Sequence, residues 1–277
     1  MVMTDIKLIA LDLDGTALKE GGWLTDTTKE AIIRAIEAGY LVVPTTGRTL
    51  SEIPDEIMAI KGIRYAIIAN GASIMDLEND EELFSDLISL DTASLIFDLL
   101  YAQNLSFEVY SEGVSFCDEQ FLAEVVGYFN GRSANYSWLA ERIRFVQNLP
   151  SYFAKGKRRV EKITVNTLVG EARVIIEKAL TEIPSVYVTS SDPRNMEINS
   201  VTSNKGAALL QLCNGLGLVP DHVMAIGDGN NDIEMLTFAG FSIAMGNAVP
   251  EAKLAASYVT VSNNDDGVAV AFRKFLR

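Results

Sequence analysis

Short, continuously apolar runs alternate with amphipathic helical segments at both ends of this chain. Near its start, the run Leu8–Leu11 is followed by a helical repeat that ends at Gly39, and then by the runs Tyr40–Val43 and Tyr65–Ala69. Runs of this kind are typical of strands buried on both faces, and helices between them form the crossovers of a parallel sheet. The first part of the chain is therefore predicted to be α/β.

The helical signals near the start differ in strength. Thr27 and Glu30 match a capping box, which predicts that the first helix begins at Thr27. A shorter helical pattern follows Thr49, but Pro54 interrupts it. The second helix is therefore expected to be short.

The same alternation returns late in the chain, after a long stretch of different character. The late elements are predicted as helix 204–216, strand Val223–Ile226, helix 231–239, strand Phe241–Ala244, strand Tyr258–Val261 and a C-terminal helix. Strands followed by crossover helices again indicate a parallel sheet. Both ends of the chain are therefore expected to contribute to one α/β core.

The middle of the chain lacks this pattern. It opens after an acidic run at residues 76–82 and contains alternating strand patterns such as Ser106–Tyr110. A cluster of turn residues at Ser190–Pro193 marks its end. We expect an inserted α+β domain at residues 83–190, with residues 1–82 and 191–277 forming the α/β core.

Charge limits the classes of partner. The chain has 23 basic and 37 acidic residues among 277, a formal charge of −14. Such a field repels the phosphates of nucleic acids and of anionic membranes, which excludes proteins that bind through phosphate neutralisation. We expect no nucleic-acid partner and no membrane.

Targeting signals and cysteine chemistry point to the same setting. The first residues lack the basic and apolar segments of a signal peptide, and no apolar run approaches the roughly 18 residues of a membrane span. Cys117 and Cys213 are too few for a disulfide framework. A cytoplasmic location is expected.

Two acidic residues follow the first apolar strand directly. Asp12 and Asp14 stand on one side of an extended chain, and Gly15 lets the chain turn sharply after them. Ligands of open α/β sheets bind at the carboxyl ends of the strands. A lone Asp-x-Asp-Gly also fits a polar turn, but three further segments supply matching chemistry.

The second segment is Thr45-Thr46-Gly47-Arg48, after the second predicted strand. A hydroxyl and backbone N–H groups at a strand-to-helix turn suit an anionic oxygen, so Thr46 and Gly47 are candidate ligands of an anion. Taken alone, Thr46 also fits a helix N-cap. Arg48 is a candidate substrate contact, although taken alone it fits a surface ion pair better.

The third segment places a cation where a helix begins. Lys205 lies at the predicted N-terminus of helix 204–216, whereas the helix dipole favours cations at the C-terminus. An anion nearby explains that position, and a solvated lysine is the alternative. Lys205 is therefore a candidate ligand of an anion.

The fourth segment, Gly227-Asp228-Gly229-Asn230-Asn231-Asp232, also follows an apolar strand. Asp228 on a loop and Asp232 in the first turn of a helix can face the same crevice. Carboxylates combined with a phosphate suit Mg²⁺. Helix capping explains Asp232 but leaves Asp228 unexplained.

Together these four segments resemble the haloacid dehalogenase superfamily of phosphohydrolases, and the fourth resembles its Cof-type branch. The resemblance covers nearly the whole chain and implies a cap domain inserted in a Rossmann-like core. It implies that Asp12 is the nucleophile and Asp14 the acid and base. Mg²⁺ would be held by Asp12, the Asp14 carbonyl and Asp228, with support from Asp232.

The resemblance assigns the remaining candidates to phosphate and substrate. Thr46 and Lys205 would neutralise charge on the transferring oxygens, and Asn231 would support the metal or the phosphate. Asn70 and Gly71 resemble a segment near the substrate entrance, although Asn-Gly also fits a hairpin turn.

The expected activity is Mg²⁺-dependent hydrolysis of a small phosphorylated metabolite, a sugar phosphate or related phosphomonoester, by a monomer or small homo-oligomer. Two alternatives stay open: a phosphomutase of the same superfamily, and a phospho-ligand sensor without turnover. The basic run at residues 155–162 fits a solvated loop or an anion-steering patch, and His222 has no assigned role.

Overall fold

The computed structural model describes residues 5–132, 137–191 and 194–276. Residues 1–4, on which the expectation of no leader partly rests, lie outside the described residues. So do Asp192 and Pro193 of the predicted turn cluster.

Strands make up three sheets in the described part of the chain. In chain order they are β1 (Leu8–Leu11), β2 (Leu41–Pro44), β3 (Tyr65–Ile68), β4 (Ser73–Asp76), β5 (Glu81–Ser85), β6 (Glu108–Ser111), β7 (Val114–Asp118), β8 (Arg144–Val146), β9 (Lys162–Val165), β10 (Val186–Thr189), β11 (Met196–Ser200), β12 (Val223–Gly227), β13 (Phe241–Ala244) and β14 (Tyr258–Val259).

Helices connect and flank these strands. The described α-helices are α1 (Asp26–Glu37), α2 (Asp55–Met58), α3 (Leu90–Ala102), α4 (Leu122–Arg132), α5 (Ser137–Arg142), α6 (Leu149–Gly156), α7 (Gly170–Leu180), α8 (Lys205–Leu216), α9 (Ile233–Phe238), α10 (Pro250–Ala255) and α11 (Gly267–Phe275). Within the described ranges, none of them has the length and apolar character needed to cross a membrane.

The chain divides into two compact units. The first contains residues 1–47, 53–84 and 204–277, and the second contains residues 48–52 and 85–203. The predicted boundary near residue 190 differs from the structural one at Ser203. The physical reason is β11, which pairs antiparallel with β9 and so belongs to the second unit.

The first unit is built on a five-stranded parallel sheet in the order β14-β13-β12-β1-β2. The predicted Rossmann-like parallel sheet is therefore confirmed. Strand β1 lies between β12 and β2 and pairs Leu8 with Val223 on one side and with Leu41 on the other. All four β1 side chains are at most 1% exposed, in agreement with the continuous apolar pattern.

The start of α1 differs from the predicted one. The N-cap is Thr25, whose Oγ1 accepts a hydrogen bond from the Thr28 N–H at 3.0 Å. The predicted capping box at Thr27 and Glu30 was therefore wrong. A single side-chain hydrogen bond decides which residue caps the helix, and the sequence pattern did not distinguish Thr25 from Thr27. Pro54 does limit the second helix, as α2 begins immediately after it and has four residues.

The register of the parallel sheet brings three strand ends together. Leu11 at the end of β1 lies opposite Ile226 in β12 and Pro44 in β2. The residues that follow these strands therefore share one edge of the sheet. This edge includes the acidic residues of the first and fourth motifs.

The second unit contains a six-stranded sheet in the order β10-β11-β9-β6-β7-β8. Val109, Ile163 and Ile198 are fully buried in the core that this sheet forms with side chains from α3, α6 and α7. The predicted α+β insertion is confirmed by this mixed sheet with helices.

The opposite face of that sheet is polar and yet buried. Glu108 pairs with Thr164 across β6 and β9, and Thr164 pairs with Glu197 across β9 and β11. Lys162, 1% exposed, lies 3.4 Å from a Glu197 oxygen and over the Tyr110 ring. Lys162 is thus a buried residue of β9 and does not belong to a solvated loop.

We predict that truncating a buried side chain of β1 destabilises the protein. Leu11→Ala should lower the free energy of unfolding by about 2–5 kcal/mol, because Leu11 is 1% exposed and leaves a cavity. Urea denaturation followed by circular dichroism measures this change. Leu254→Ala, at an 87% exposed site, should stay within about 0.5 kcal/mol. Equal effects of the two substitutions would contradict the assignment of β1 as core.

We predict a pH-dependent stability from Glu108. Burial, together with the nearby Glu52, raises the pKa of Glu108 from 4.5 to about 7, against hydrogen bonds from Ser115 and Asn166. Because the folded state holds the proton more tightly, the free energy of unfolding should fall as pH rises from 4.5 to 7, by up to about 1.4 kcal/mol per unit. Glu108→Gln should flatten this slope in urea titrations. An unchanged slope would contradict the assignment.

Candidate active site

A buried ammonium group joins two of the candidate carboxylates. The Lys205 Nζ lies 2.6 Å from Asp12 Oδ1 and 2.6 Å from Asp232 Oδ1, and the Lys205 side chain has no exposed surface. Asp12 directly follows β1, Lys205 begins α8, and Asp232 precedes α9. Three of the four sequence motifs therefore meet at one nitrogen atom.

Local packing explains how Lys205 reaches this position. Asn204 caps α8, since its side chain accepts a hydrogen bond from the Ala207 N–H at 2.8 Å. At Gly206 a Cβ would lie 2.6 Å from the Glu234 carbonyl, so only glycine lets α8 and α9 approach this closely. The predicted helix N-terminus is confirmed, and a solvated Lys205 is excluded by its burial.

The charges of this group are strongly coupled. Burial raises the pKa of Asp12 well above its usual value, with a further rise from Asp232 and an opposing effect of Lys205. Burial disfavours the charged form of Lys205, but attraction to Asp12 and Asp232 outweighs this and raises the Lys205 pKa. Lys205 is therefore a permanent cation between Asp12 and Asp232.

Asp228 is the third carboxylate of the group. The Thr16 Oγ1 donates a hydrogen bond of 2.8 Å to Asp228 Oδ1. Gly15, with a φ of +77°, lies so close that a Cβ there would overlap the Asp228 carboxylate. Burial and then Asp232 raise the pKa of Asp228 to about 7, against the hydrogen bond from Thr16.

Asp232 organises the loop that carries Asp228. Its Oδ2 accepts hydrogen bonds from the Asp228 and Gly229 N–H groups, both at 2.8 Å, while its Oδ1 binds Lys205. Asp232 thus acts both as a loop cap and as a partner of the ammonium group. These two roles fix the loop relative to α8.

The arrangement fits a divalent cation. Asp12, Asp228 and Asp232 offer carboxylate oxygens that all lie within 4.8 Å of one another. Three carboxylates face one ammonium group, so the ionised cluster has an excess charge of two, and Mg²⁺ prefers such oxygen ligands. The space that Gly15 leaves beside Asp228 supports the same fit.

Asp14 lies at the rim of this cluster. It is half-buried, and its charge contributes to the raised pKa of Asp228. Its backbone pairs with Leu18 in an isolated bridge, which shapes the turn after β1. Asp14 therefore stands near the cluster but is more accessible than Asp12.

Thr46 follows the neighbouring strand β2 and is 1% exposed. Its N–H donates to the Ile67 carbonyl at 2.9 Å, and its own carbonyl accepts from the Asn70 N–H at 3.0 Å. No described helix begins at Thr46, so the N-cap alternative is excluded. Thr46 and Gly47 lie at the edge of the sheet where Asp12 lies, and their role toward phosphate stays a prediction.

Arg48 has its described contacts in the second unit. Its Nη1 donates to the Glu52 carbonyl at 2.7 Å, and its guanidinium lies 5.7 Å from the Trp138 ring centroid. Arg48 is 7% exposed, which excludes a surface ion pair. Its contact with substrate stays a prediction.

Asn70 and Gly71 form the turn between β3 and β4, as the hairpin interpretation predicted. The Asn231 Nδ2 donates to Asn70 Oδ1 at 3.1 Å, with both residues buried. A Cβ at Gly71 would overlap the Asn204 carbonyl, so this turn packs against the start of α8. The turn thus lies beside Lys205.

Two residues near the cluster were missed from the sequence. Thr16 directly follows the first motif, and its hydroxyl donates to Asp228. Asn247 follows the carboxyl end of β13 and donates hydrogen bonds to Gly15 and Asp228. The rule that identified the other strand ends would also have found Asn247, because β13 belongs to the same parallel sheet.

This combination of parallel sheet, inserted second unit and carboxylate–lysine cluster agrees with comparisons to known proteins. The sequence profile of the haloacid dehalogenase-like hydrolases matches residues 9–272. The chain therefore belongs to this family of hydrolases, and the expected resemblance is confirmed.

Several relatives of the chain are named as phosphatases. It is 32% identical over 273 residues to the 5-amino-6-(5-phospho-D-ribitylamino)uracil phosphatase YcsE of Bacillus subtilis, covering 98% of this chain and 96% of the relative. It is 31% identical to YwtE of the same organism, which has the same phosphatase name, covering 95% and 96%. A solved haloacid dehalogenase-like hydrolase from B. subtilis matches with a TM-score of 0.84 and 28% identity, covering 98% of this chain and all of that one.

We predict that Lys205 is essential for stability in the absence of added cations. Lys205→Met leaves Asp12 and Asp232 without their buried counter-charge and should lower the free energy of unfolding by about 3–5 kcal/mol. Urea denaturation in EDTA measures the loss. Lys61→Met, at an exposed turn, is the matched control and should have little effect. A Lys205→Met variant as stable as the control would contradict the central role of this ammonium group.

Proposed function

We propose that this protein is a Mg²⁺-dependent phosphomonoester hydrolase that acts on a small phosphorylated metabolite through an aspartyl-phosphate on Asp12. The observation that carries the proposal is the Lys205 ammonium group, held at 2.6 Å from Asp12 and Asp232 next to Asp228. A nucleophilic carboxylate, a fixed cation and further oxygen ligands are the parts that phosphoryl transfer requires.

In the first step, an oxygen of the Asp12 carboxylate attacks phosphorus, and the bond from phosphorus to the ester oxygen breaks. Asp14 donates a proton to the departing oxygen, which leaves as an alcohol. Lys205 keeps the Asp12 carboxylate in a fixed orientation through its 2.6 Å contact. Because the ammonium group is permanently charged, it also attracts the negative charge of the transferring phosphoryl oxygens.

In the second step, Asp14 takes a proton from water as the water oxygen attacks phosphorus. The bond between phosphorus and the Asp12 oxygen breaks, which releases inorganic phosphate and regenerates the carboxylate. Asp14 suits both steps because it is half-buried at the rim, where water reaches it more easily than Asp12. Asp14 thus acts first as an acid and then as a base.

Asp12, the Asp14 carbonyl and Asp228 would hold the Mg²⁺ ion, with Asp232 in support. When bound, the ion supplies positive charge that allows an anionic phosphate to approach the carboxylates. Thr46, Gly47 and Asn231 would donate hydrogen bonds to phosphate oxygens from the same edge of the sheet. Arg48, Asn70 and Gly71 are proposed substrate contacts.

The substrate class is proposed from the relatives and the site together. YcsE and YwtE are named for a phosphorylated ribitylamino compound, which is a phosphate ester on a polyhydroxylated chain. The cluster itself recognises only a phosphoryl group, so we propose a sugar phosphate or a phosphorylated polyol as the substrate. Two buried free cysteines and the acidic charge fit the proposed cytoplasmic location.

We predict that phosphate release requires both Mg²⁺ and Asp12. The enzyme, stripped with EDTA, is assayed on an aryl phosphate, a panel of sugar phosphates and the phosphorylated ribitylamino compound, with and without MgCl₂. Asp12→Asn should lower kcat by at least about a thousandfold, because the amide is not a nucleophile. Asp26→Asn, at an exposed position in α1, should retain wild-type kcat.

Product analysis separates this function from its alternatives. Free inorganic phosphate is the expected product, whereas an isomeric phosphate ester would identify a phosphomutase. Tight binding of the phosphorylated compounds without turnover by the folded wild type would identify a sensor. Either result would overturn the proposed hydrolase.

A further inference from the structure

The loop after β13 is bonded to the segment that carries Asp228. The Met245 N–H donates to the Gly227 carbonyl at 3.0 Å, and the Val249 N–H donates to the Asp228 carbonyl at 2.9 Å. The loop therefore follows the backbone on both sides of the proposed metal ligand. Asn247 lies in the middle of this loop.

The Asn247 side chain joins three segments. Its Nδ2 donates to the Gly15 carbonyl at 2.8 Å and to Asp228 Oδ2 at 3.3 Å, while its Oδ1 accepts from the Asn263 N–H at 2.9 Å. A backbone carbonyl on one side and a backbone N–H on the other determine which way the amide points. The NH₂ group must therefore face Gly15 and Asp228.

The loop that presents Asn247 is itself held in place. Lys253 Nζ donates to the Gly246 carbonyl at 2.7 Å, and the Gly246 N–H donates to the Val261 carbonyl at 3.0 Å. A Cβ at Gly246 would lie 2.7 Å from the Ser262 nitrogen, so the loop packs directly against this segment. Asn247 therefore has a defined position although its side chain is exposed.

The hydrogen bonds of Asp228 come from two sides. Thr16 donates to Oδ1 and Asn247 donates to Oδ2, so rotation of this carboxylate is restricted. Asn247 also holds the turn at Gly15, whose close approach leaves the carboxylate its space. An aspartate at position 247 would place a carboxylate oxygen, which cannot donate, against the Gly15 carbonyl and the Asp228 carboxylate. An alanine side chain would be too short to contact either group.

We propose that Asn247 is a positioning residue that orients the Asp228 carboxylate and the Gly15 turn for a divalent cation, and thereby sets the affinity and selectivity for Mg²⁺. The inference rests on the proposed Mg²⁺ site. Substituting a residue that hydrogen-bonds to a metal ligand typically lowers metal affinity by about 10- to 100-fold. Because Mg²⁺ demands near-octahedral geometry and Ca²⁺ tolerates irregular sites, a loosened carboxylate weakens Mg²⁺ binding more.

The test measures cation binding directly, without substrate. Isothermal titration with MgCl₂ and with CaCl₂ is performed on wild type, Asn247→Ala and Asn264→Ala. Asn264 is the matched control, because it is an exposed asparagine that accepts from the Glu20 N–H and has no described bond to Asp228 or Gly15. Melting temperatures in EDTA verify that each variant is folded.

Asn247→Ala should raise the Mg²⁺ dissociation constant about tenfold and the Ca²⁺ constant less, so that the preference for Mg²⁺ falls. Asn264→Ala should match the wild type. Asn247→Asp keeps an acceptor for the Asn263 N–H but cannot donate to Asp228, so its preference for Mg²⁺ should fall as well.

Two failures of this experiment have different meanings. If wild type binds Mg²⁺ and Asn247→Ala binds it with the same affinity and the same preference over Ca²⁺, the role of Asn247 is overturned and the hydrolase proposal stands. If the folded wild type binds no Mg²⁺, the proposed metal dependence is overturned, and the role of Asn247 with it.

Discussion

The buried ammonium group of Lys205 between Asp12 and Asp232 is the interaction on which the first unit depends. A fully buried charge must be matched by counter-charges and hydrogen bonds, and here two carboxylates at 2.6 Å provide both. The chain accordingly brings the end of β1, the start of α8 and the start of α9 to one point. Two features place these elements together: α8 and α9 approach closely at Gly206, and β1 pairs in parallel with β12.

Hydrogen-bond donors hold each carboxylate of the cluster. Asp12 is held by Lys205, Asp232 by Lys205 and two backbone N–H groups, and Asp228 by Thr16 and Asn247. Groups fixed in this way would need little rearrangement to bind the proposed cation and phosphate, and such preorganisation is the main source of electrostatic catalysis. The contacts that stabilise these buried polar groups in the fold thus also hold them in the orientation that the proposed reaction requires.

The sheet and most of the cluster were predictable because parallel strands impose a simple rule. Polar residues after β1, β2 and β12 had to share one edge of the sheet, whatever the loops between them do. Features that depend on a single distant contact were not predictable. Arg48 packs on Trp138, 90 positions away, and β11 pairs with β9 across a helix. The first helix begins after Thr25 because one hydroxyl accepts one hydrogen bond, which sequence pattern alone does not rank.

The central claim is that Asp12 is the residue that carries the phosphoryl group. It is tested most directly by acid-quenching Asp14→Asn enzyme with a labelled aryl phosphate and Mg²⁺, followed by digestion and mass spectrometry. This variant retains the nucleophile but lacks the base, so we predict that phosphate accumulates on Asp12. Substrate turnover by the wild type, with no phosphate on Asp12 at any quench time or with phosphate on another residue, would contradict the account.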